Sequence, residues 1–152
     1  MGKNFRSSAS YGKRQEFFAI AKLLKRGNDV YLTLVDDQGI DCVIKVSDKT
    51  YYDVQIKARS KDTIDGDVAR FAAMIIKNPR PNYIFIFYAE RLDKYWVVPS
   101  LELVEMASRN KKGKNIGKYH ICFSGFRNKK PYAMEKYMKY EDNFKVFDKE
   151  LI

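Results

Sequence analysis

The residues best placed to do chemistry lie in residues 39–57, which read GIDCVIKVSDKTYYDVQIK. Two apolar runs flank a short polar connection here, a pattern that predicts a two-stranded hairpin. Residues two apart in a strand point to the same face, so Gln55 and Lys57 project together, opposite their apolar neighbours. If Asp41 faces them across the ladder, three polar groups converge on one side of an apolar sheet. Such a cluster is costly unless something polar binds there.

These residue types fit the hydrolysis of a phosphodiester. Hard divalent cations prefer oxygen ligands, and Asp41, the side-chain carbonyl of Gln55 and the backbone carbonyl of Ile56 are three candidates for holding Mg²⁺ (or Mn²⁺). Such a cation offsets developing charge and lowers the pKa of an attacking water. Lys57 would orient that water or stabilise the transition state. Glu16 would join the set if the helix that carries it packs against the sheet.

The elements that must position these groups follow from the periodicity of apolar residues. Helices are predicted over residues 11–26, 67–78 and 101–108, and strands over residues 30–35, 40–46, 51–58, 83–89, 95–98 and 119–123. The short connections among the first three strands favour an antiparallel meander. The helix at 67–78 would return the chain to a buried strand at 83–89. The order predicts an α/β fold with a mixed central β-sheet flanked by helices.

Length and composition bound the class of protein. A chain of 152 residues with 45% hydrophobic content suits one domain over residues 1–152. The predicted core covers about residues 11–99, and a basic C-terminal extension covers about residues 100–152. No apolar run approaches the length of a membrane span, and no signal peptide is recognisable. Cys42 and Cys122 form no CxxC pair, so we expect a reducing, cytoplasmic setting and no membrane partner.

Charge points to a polyanionic partner. The net charge is +10, and residues 107–140 contain ten basic residues against the single acid Glu135. Clustered cations favour binding to a phosphate backbone over mere solubility, although Lys-rich loops are common on protein surfaces. The candidate nucleic-acid-binding residues are Arg59, Lys111, Lys112, Lys114, Lys118, Arg127, Lys129 and Lys130.

The order of Glu16 on a helix, Asp41 on a strand and the Gln55-x-Lys57 pair on the next strand resembles the PD-(D/E)XK nuclease superfamily. The similarity is greatest to its Holliday-junction-resolvase-like branch and covers about the first 90 residues. It implies a restriction-endonuclease-like αβββαβ core and DNA as the partner. It also implies metal binding by Asp41, Gln55 and Glu16, with Lys57 completing the catalytic set. Ile40 stands where the family has proline, and Gln55 stands where it has an acid. Resolvase-like relatives act as dimers, so the resemblance allows a homodimer, which an exposed Tyr-rich tail would suit.

Three functions remain open from the sequence. The first is a Mg²⁺-dependent endonuclease that cleaves DNA, with resolvase-like action on branched DNA as one form of it. The second is a catalytically inactive nuclease-fold protein that serves as a nucleic-acid-binding or assembly module, which the neutral Gln55 would suit. The third is an interaction protein without a nucleic-acid role, against which the basic segment argues. His120, the only histidine, is expected to be structural, and Asp53 is expected to lie on the hairpin surface.

Overall fold

The computed structural model describes residues 5–35, 38–63 and 68–149, with the backbone alone for residues 5–8, 126 and 127. The helices of this part are α1 (Phe5–Lys25), α2 (Ser100–Met106) and two 3-10 helices (Glu135–Tyr140 and Phe144–Phe147). The strands are β1 (Asp29–Leu32), β2 (Cys42–Lys45), β3 (Tyr51–Arg59), β4 (Arg70–Met74), β5 (Tyr83–Ala89), β6 (Lys94–Pro99), β7 (Ser108–Arg109), β8 (Tyr119–Cys122), β9 (Ser124–Arg127) and β10 (Lys130–Ala133). Among the described helices, none is long and apolar enough to cross a bilayer.

The central sheet has five strands in the order β1-β2-β3-β5-β6. Its neighbours are antiparallel except β3 and β5, which run parallel, so the predicted mixed α/β sheet is confirmed. The predicted meander is confirmed as well, but β1 ends at Leu32 rather than at residue 35. Just beyond Leu32, the Thr33 hydroxyl donates to the backbone carbonyls of Ile40 (2.7 Å) and Asp41 (3.1 Å).

Two apolar clusters cover the two faces of this sheet. On one face α1 buries Ala19, Ile20 and Leu23 against Val54 and Ile56 of β3. The other face carries the aromatic side chains of β5, which a second sheet of order β4-β8-β7 covers. The alternation of Val54 and Ile56 inward on the α1 side confirms that Gln55 and Lys57 project to the opposite face. The polar edge of that face therefore lies beside β4.

The predicted helix over residues 67–78 is wrong, because the described part of it forms strand β4. β4 pairs antiparallel with β8, and the register shifts between Phe71 and Met74. Ala73 occupies the left-handed region there, at φ 56°. Such a bulge inserts an extra residue into a strand, so Phe71 and Met74 both face the core despite a spacing of three. The apolar spacing of Val68, Phe71, Ala72, Ile75 and Ile76 predicts a helix, but Ala72 and Ile75 are exposed in the structure, so that spacing does not mark a buried face.

The C-terminal segment packs into both apolar clusters. Phe144 and Phe147, on the second 3-10 helix, are fully buried beside α1. Asn28, just after α1, donates a hydrogen bond to the carbonyl of Phe147 at 2.6 Å. The prediction of an exposed Tyr-rich tail is wrong for Tyr137 and Tyr140, which are buried in the other cluster. Aromatic residues without helical or strand periodicity therefore serve as core in this segment.

Candidate functional site

Asp41 lies at the end of β2, where the ladder between β2 and β3 stops. Its backbone amide donates to the carbonyl of Val54 at 2.8 Å. Its carboxylate Oδ2 accepts a hydrogen bond from the backbone amide of Ile56 at 2.7 Å, so a side-chain oxygen takes the place of a strand carbonyl. The side chain is only 7% exposed. Asp41 is thus a fixed, nearly buried anion held against β3 between Gln55 and Lys57.

Glu16 approaches Asp41 from the helix. Apolar packing of α1 on the sheet brings one turn of the helix over the start of β2, and Glu16 and Asp41 line one cavity of about 130 Å³. We call this the carboxylate cavity; its other described lining residues are Lys13, Phe17, Ile20, Leu32, Thr33 and Leu34. Glu16 forms an ion pair with Lys13 at 3.0 Å. The packing of α1 therefore brings the two predicted carboxylates into one small space.

The pKa of the Cys42 thiol depends in part on the same two carboxylates. Burial is the main reason that the pKa of Cys42 rises to about 12, and the negative charges of Asp41 and Glu16 raise that pKa further. Charge effects of this kind act over short distances in a poorly solvated site. Asp41 and Glu16 therefore place negative potential at a common point of the sheet.

Gln55 is oriented by a residue that sequence reasoning missed. The Tyr83 hydroxyl donates to the carbonyl of Gly39 at 2.6 Å and also lies 3.0 Å from Oε1 of Gln55. Gly39 has φ 72°, and a Cβ there would stand 3.0 Å from the Tyr83 hydroxyl, so a larger residue would be strained and crowded. Tyr83 was missed because it begins an almost wholly apolar strand, in which a polar role for its hydroxyl was not expected. The structure thus directs the Gln55 carbonyl to Tyr83.

Lys57 lines a second, larger cavity of about 470 Å³. We call it the basic cleft; its lining residues are Tyr11, Gly12, Lys57, Ala58, Arg59, Ser60, Thr63, Arg70, Phe71, Ala72 and Met74. Three of these are cations and none is a carboxylate among the described residues. Within the part of the chain that the structure describes, the Lys57 ammonium has neither an ion pair nor a hydrogen bond. The cleft is therefore suited to a polyanion, and Lys57 is available to it.

The two cavities lie side by side along α1, since Gly12 lines the basic cleft and Lys13 lines the carboxylate cavity. Glu16 and Asp41 share one, Lys57 lines the other, and Gln55 is engaged by Tyr83. No cluster of three or more His, Cys, Asp or Glu residues occurs among the described residues. Any metal site here would accordingly be built from two carboxylates together with amide or backbone oxygens.

The predicted phosphate-binding residues fall into three places. Arg59 lines the basic cleft, and its Nη1 donates to the carbonyl of Arg70 at 3.2 Å. Lys111, Lys112 and Lys114 are exposed in the loop between β7 and β8, whereas Lys118 is half-buried. Lys129 and Lys130 are exposed at the β9–β10 turn, and the side chain of Arg127 lies outside the described residues. Arg70 was missed because its segment was predicted to be a helix.

Two other expectations concern residues near this region. His120 is half-buried on β8, and its Nδ1 lies 3.0 Å from Oδ1 of Asn110, a position far from the carboxylate cavity in the sheet order. Asp53 lies on the same face of β3 as Gln55, but Arg80 pairs with it at 2.5 Å. Both residues therefore serve to hold neighbouring loops in this structure.

Comparison with solved structures identifies a neighbour in fold. The structure of a bacterial homing endonuclease, I-Ssp6803I, matches with a TM-score of 0.61 at 20% sequence identity, covering 92% of this chain and 92% of that chain. Comparisons with protein-family models and with curated protein sequences gave no match. At this level of identity the likeness establishes a shared fold. This chain has, over nearly its whole length, the fold of that homing endonuclease.

Proposed function

We propose that this protein is a metal-dependent endonuclease that cleaves DNA, of the PD-(D/E)XK type. The observation that carries the proposal is the contact of the Asp41 carboxylate with the Ile56 amide, one residue before Lys57. This contact fixes the Asp41 carboxylate near the strand position of Lys57, which lines the basic cleft, and Glu16 lines the same cavity as Asp41. The fold shared with a homing endonuclease supports the same conclusion.

The donor atoms fit Mg²⁺ or Mn²⁺ by chemistry. Glu16 and Asp41 supply carboxylate oxygens to the carboxylate cavity, and Gln55 supplies a neutral amide oxygen from the neighbouring strand position. When bound, the ion would offset charge on the scissile phosphate and lower the pKa of the attacking water. Asp41 and Glu16 would hold the ion, and Gln55, held by Tyr83, would add a weaker ligand.

Lys57 and the arginines of the basic cleft act on the phosphate. The Lys57 ammonium would orient the attacking water or donate to a phosphoryl oxygen as negative charge grows there. Arg59 and Arg70 line the same cleft and would hold the adjacent phosphates, because guanidinium groups bind phosphate oxygens in pairs. The exposed lysines at the β7–β8 and β9–β10 turns would extend this contact along the backbone of the DNA.

A homodimer is the next part of the proposal. β1 is an edge strand of the central sheet, and its Tyr31 and Leu32 are more than half exposed. Leu34 and Val35 follow and are still more exposed. Edge strands normally carry charges or bulges that prevent pairing. β1 has one charge, Asp29 at its first residue, and is apolar from Val30 to Leu32, so a second copy would pair along that apolar part. Light scattering tests this association, and a protein that stays monomeric at every assay concentration contradicts it.

The cellular setting completes the proposal. Cys42 is buried and Cys122 is half-buried, and neither forms a disulfide with another described residue. Free thiols persist in a reducing compartment, which supports a cytoplasmic location. Measuring the thiol content of protein isolated from its own cells tests this directly.

A cleavage assay tests the nuclease proposal. Supercoiled, linear and branched DNA are incubated with Mg²⁺ or Mn²⁺, and the branched substrate tests resolvase-like action. We expect cleavage that chelation abolishes and that Asp41→Asn and Lys57→Met each reduce strongly. Lys49→Met is the matched control, since Lys49 is exposed at the other end of the hairpin. Cleavage activity that survives in the Asp41→Asn, Lys57→Met double variant would contradict the proposal.

A second candidate function is a DNA-binding module without hydrolysis. The observation that favours it is the engagement of the neutral Gln55 carbonyl by the Tyr83 hydroxyl, which leaves two carboxylates to hold a metal. Calorimetry separates the two candidates. Salt-sensitive DNA binding without heat of metal binding supports the module, and metal binding that involves Asp41 supports the nuclease.

A further inference from the structure

The loop between β7 and β8, residues 110–118, is a preformed structure. We call it the basic hairpin loop. The amide of Asn110 donates to the carbonyl of Lys118 at 2.9 Å, and the amide of Gly117 donates to the carbonyl of Asn110 at 2.7 Å. Arg109 Nε donates to the carbonyl of Gly117 at 3.1 Å. These bonds close both ends of the loop, so it loses little freedom when it binds a partner.

The composition of this loop pairs positive charge with one apolar side chain. Lys111, Lys112 and Lys114 are exposed, and residues 110–118 contain no acid. Ile116 is 64% exposed, although the backbone around it is fixed by the bond from its own amide to the carbonyl of Gly113 at 3.2 Å. The loop thus presents a branched alkyl group among cations.

The position of the loop is set by its pairing with the wall of the basic cleft. Tyr119, the first residue of β8, is paired with Met74 of β4, and Met74 lines the cleft. The last residue of the loop, Lys118, is therefore the neighbour in sequence of a residue that pairs with the cleft wall. A polyanion lying in the cleft would reach the loop within the same binding event.

We propose that the basic hairpin loop enters the major groove of duplex DNA and that Ile116 contacts the methyl groups of thymine there. The major groove admits a two-stranded β-ribbon, and the thymine C5-methyl is its apolar feature, which apolar side chains contact. The lysines lie where they would bind the phosphates on both sides of the groove. The inference rests on the proposed function in taking DNA as the partner, and it adds a residue that reads sequence.

The experiment removes the methyl group from the DNA and the alkyl group from the protein. A mixed-sequence duplex containing thymidine is compared with the same duplex in which deoxyuridine replaces every thymidine, so that phosphates and base pairing stay the same. We expect the wild-type protein to bind the thymidine duplex about fourfold more tightly for each methyl group buried. Ile116→Ala and Ile116→Gln should bind both duplexes equally. Leu24→Ala, which shortens a similarly exposed alkyl group on α1, should keep the preference.

Two results overturn the inference. One is equal binding of the two duplexes by the wild-type protein, and the other is a thymidine preference that persists in both Ile116 variants. Neither depends on cleavage, because binding is measured without metal. If the nuclease proposal fails, cleavage is absent while the thymidine preference remains. If this inference alone fails, cleavage remains and the preference is absent.

Discussion

The carboxylate of Asp41 accepts a hydrogen bond from the backbone amide of Ile56 at 2.7 Å. Asp41 therefore both ends the β2–β3 ladder and holds a negative charge close to the strand position of Lys57. The bond explains how a nearly buried carboxylate is tolerated, since a charged acceptor satisfied by an N–H is stabilised. It also ties the charge to the one strand that carries Gln55 and Lys57. Substitutions of Asp41 can therefore separate its structural role from its proposed catalytic role.

Asp41→Asn should keep the fold and lose activity. The asparagine carbonyl still accepts from Ile56, so we expect the free energy of unfolding to fall by only about 1 kcal/mol. Cleavage should fall by roughly 100-fold or more, because the charge that holds the ion is gone. Asp41→Ala leaves the Ile56 amide without this acceptor and should lower the free energy of unfolding by about 1–3 kcal/mol more than Asp41→Asn does. Equal activity of Asp41→Asn and wild type in the cleavage assay contradicts the assigned role.

Gln55→Glu should strengthen metal binding. The substitution adds a charge and keeps an oxygen for the Tyr83 hydroxyl, so we expect Mg²⁺ affinity to rise by roughly tenfold. Tyr83→Phe is the control, because it removes the hydroxyl that orients Gln55 without altering any charge. Isothermal calorimetry gives both affinities. An unchanged affinity in Gln55→Glu shows that residue 55 does not contact the ion.

The titration of Cys42 should report on the two carboxylates without any activity assay. Its pKa in the folded protein, about 12, lies above its ordinary value of 9.0, so its contribution to stability is complete below pH 9 and is lost as the pH rises towards 12. In a Cys122→Ser background with isotopically labelled cysteine, the NMR chemical shift of the Cys42 Cβ follows the thiolate without requiring access of a reagent to this buried side chain. Glu16→Gln should lower the Cys42 pKa, as should bound Mg²⁺, because each reduces the negative potential there.

The control for the Cys42 measurement is Glu105→Gln, which removes a charge from α2, a helix that does not line the carboxylate cavity. It should leave the Cys42 titration unaltered. If Glu16→Gln and Glu105→Gln give the same titration curve for Cys42, Glu16 does not act at this point of the sheet.

Glycine at position 73 should relieve the backbone strain in the bulge of β4. Ala73 has φ 56°, a region that costs an L-residue roughly 1–2 kcal/mol, so Ala73→Gly should raise the free energy of unfolding by about 1 kcal/mol. Ala72→Gly, at the neighbouring exposed position, should instead lower it by about 0.5–1 kcal/mol. Urea unfolding of the two variants compares them directly. Destabilisation by both substitutions argues against the bulge.

The exposed lysines of the basic hairpin loop should set the salt dependence of DNA binding. Replacing Lys111, Lys112 and Lys114 by Gln should reduce the slope of log K against log salt by about 0.9 for each phosphate that the protein no longer neutralises. Lys25, Lys49 and Lys145 are exposed on other surfaces and offer a control triple of equal charge. A slope that falls equally in both triples assigns the effect to net charge rather than to this loop.

The elements that the sequence predicted well are those whose local pattern and tertiary role agree. α1, the β2–β3 hairpin and the buried strand β5 have one periodicity each, and the period-two rule placed Gln55 and Lys57 on one face. The helix predicted at β4 is wrong because Ala72 and Ile75, which complete the helical spacing, are exposed, while the bulge at Ala73 brings Met74 into the core. Tyr83 was missed because its role depends on Gly39 and Gln55, far away in the sequence. Contacts of that kind are set by tertiary packing and leave no local pattern.

The pairing of β4 with β8 has a consequence for the order of synthesis. The hairpin with Asp41 and Lys57 emerges from the ribosome well before Tyr119–Cys122, the strand that pairs with β4, whose residues line the basic cleft. Domains generally complete their folding as units, and pairing of distant segments is slow because loop closure precedes it. Until that strand is made, β4 lacks its partner and the proposed site is incomplete. The proposed cleavage activity would therefore arise only when the final third of the chain has been made.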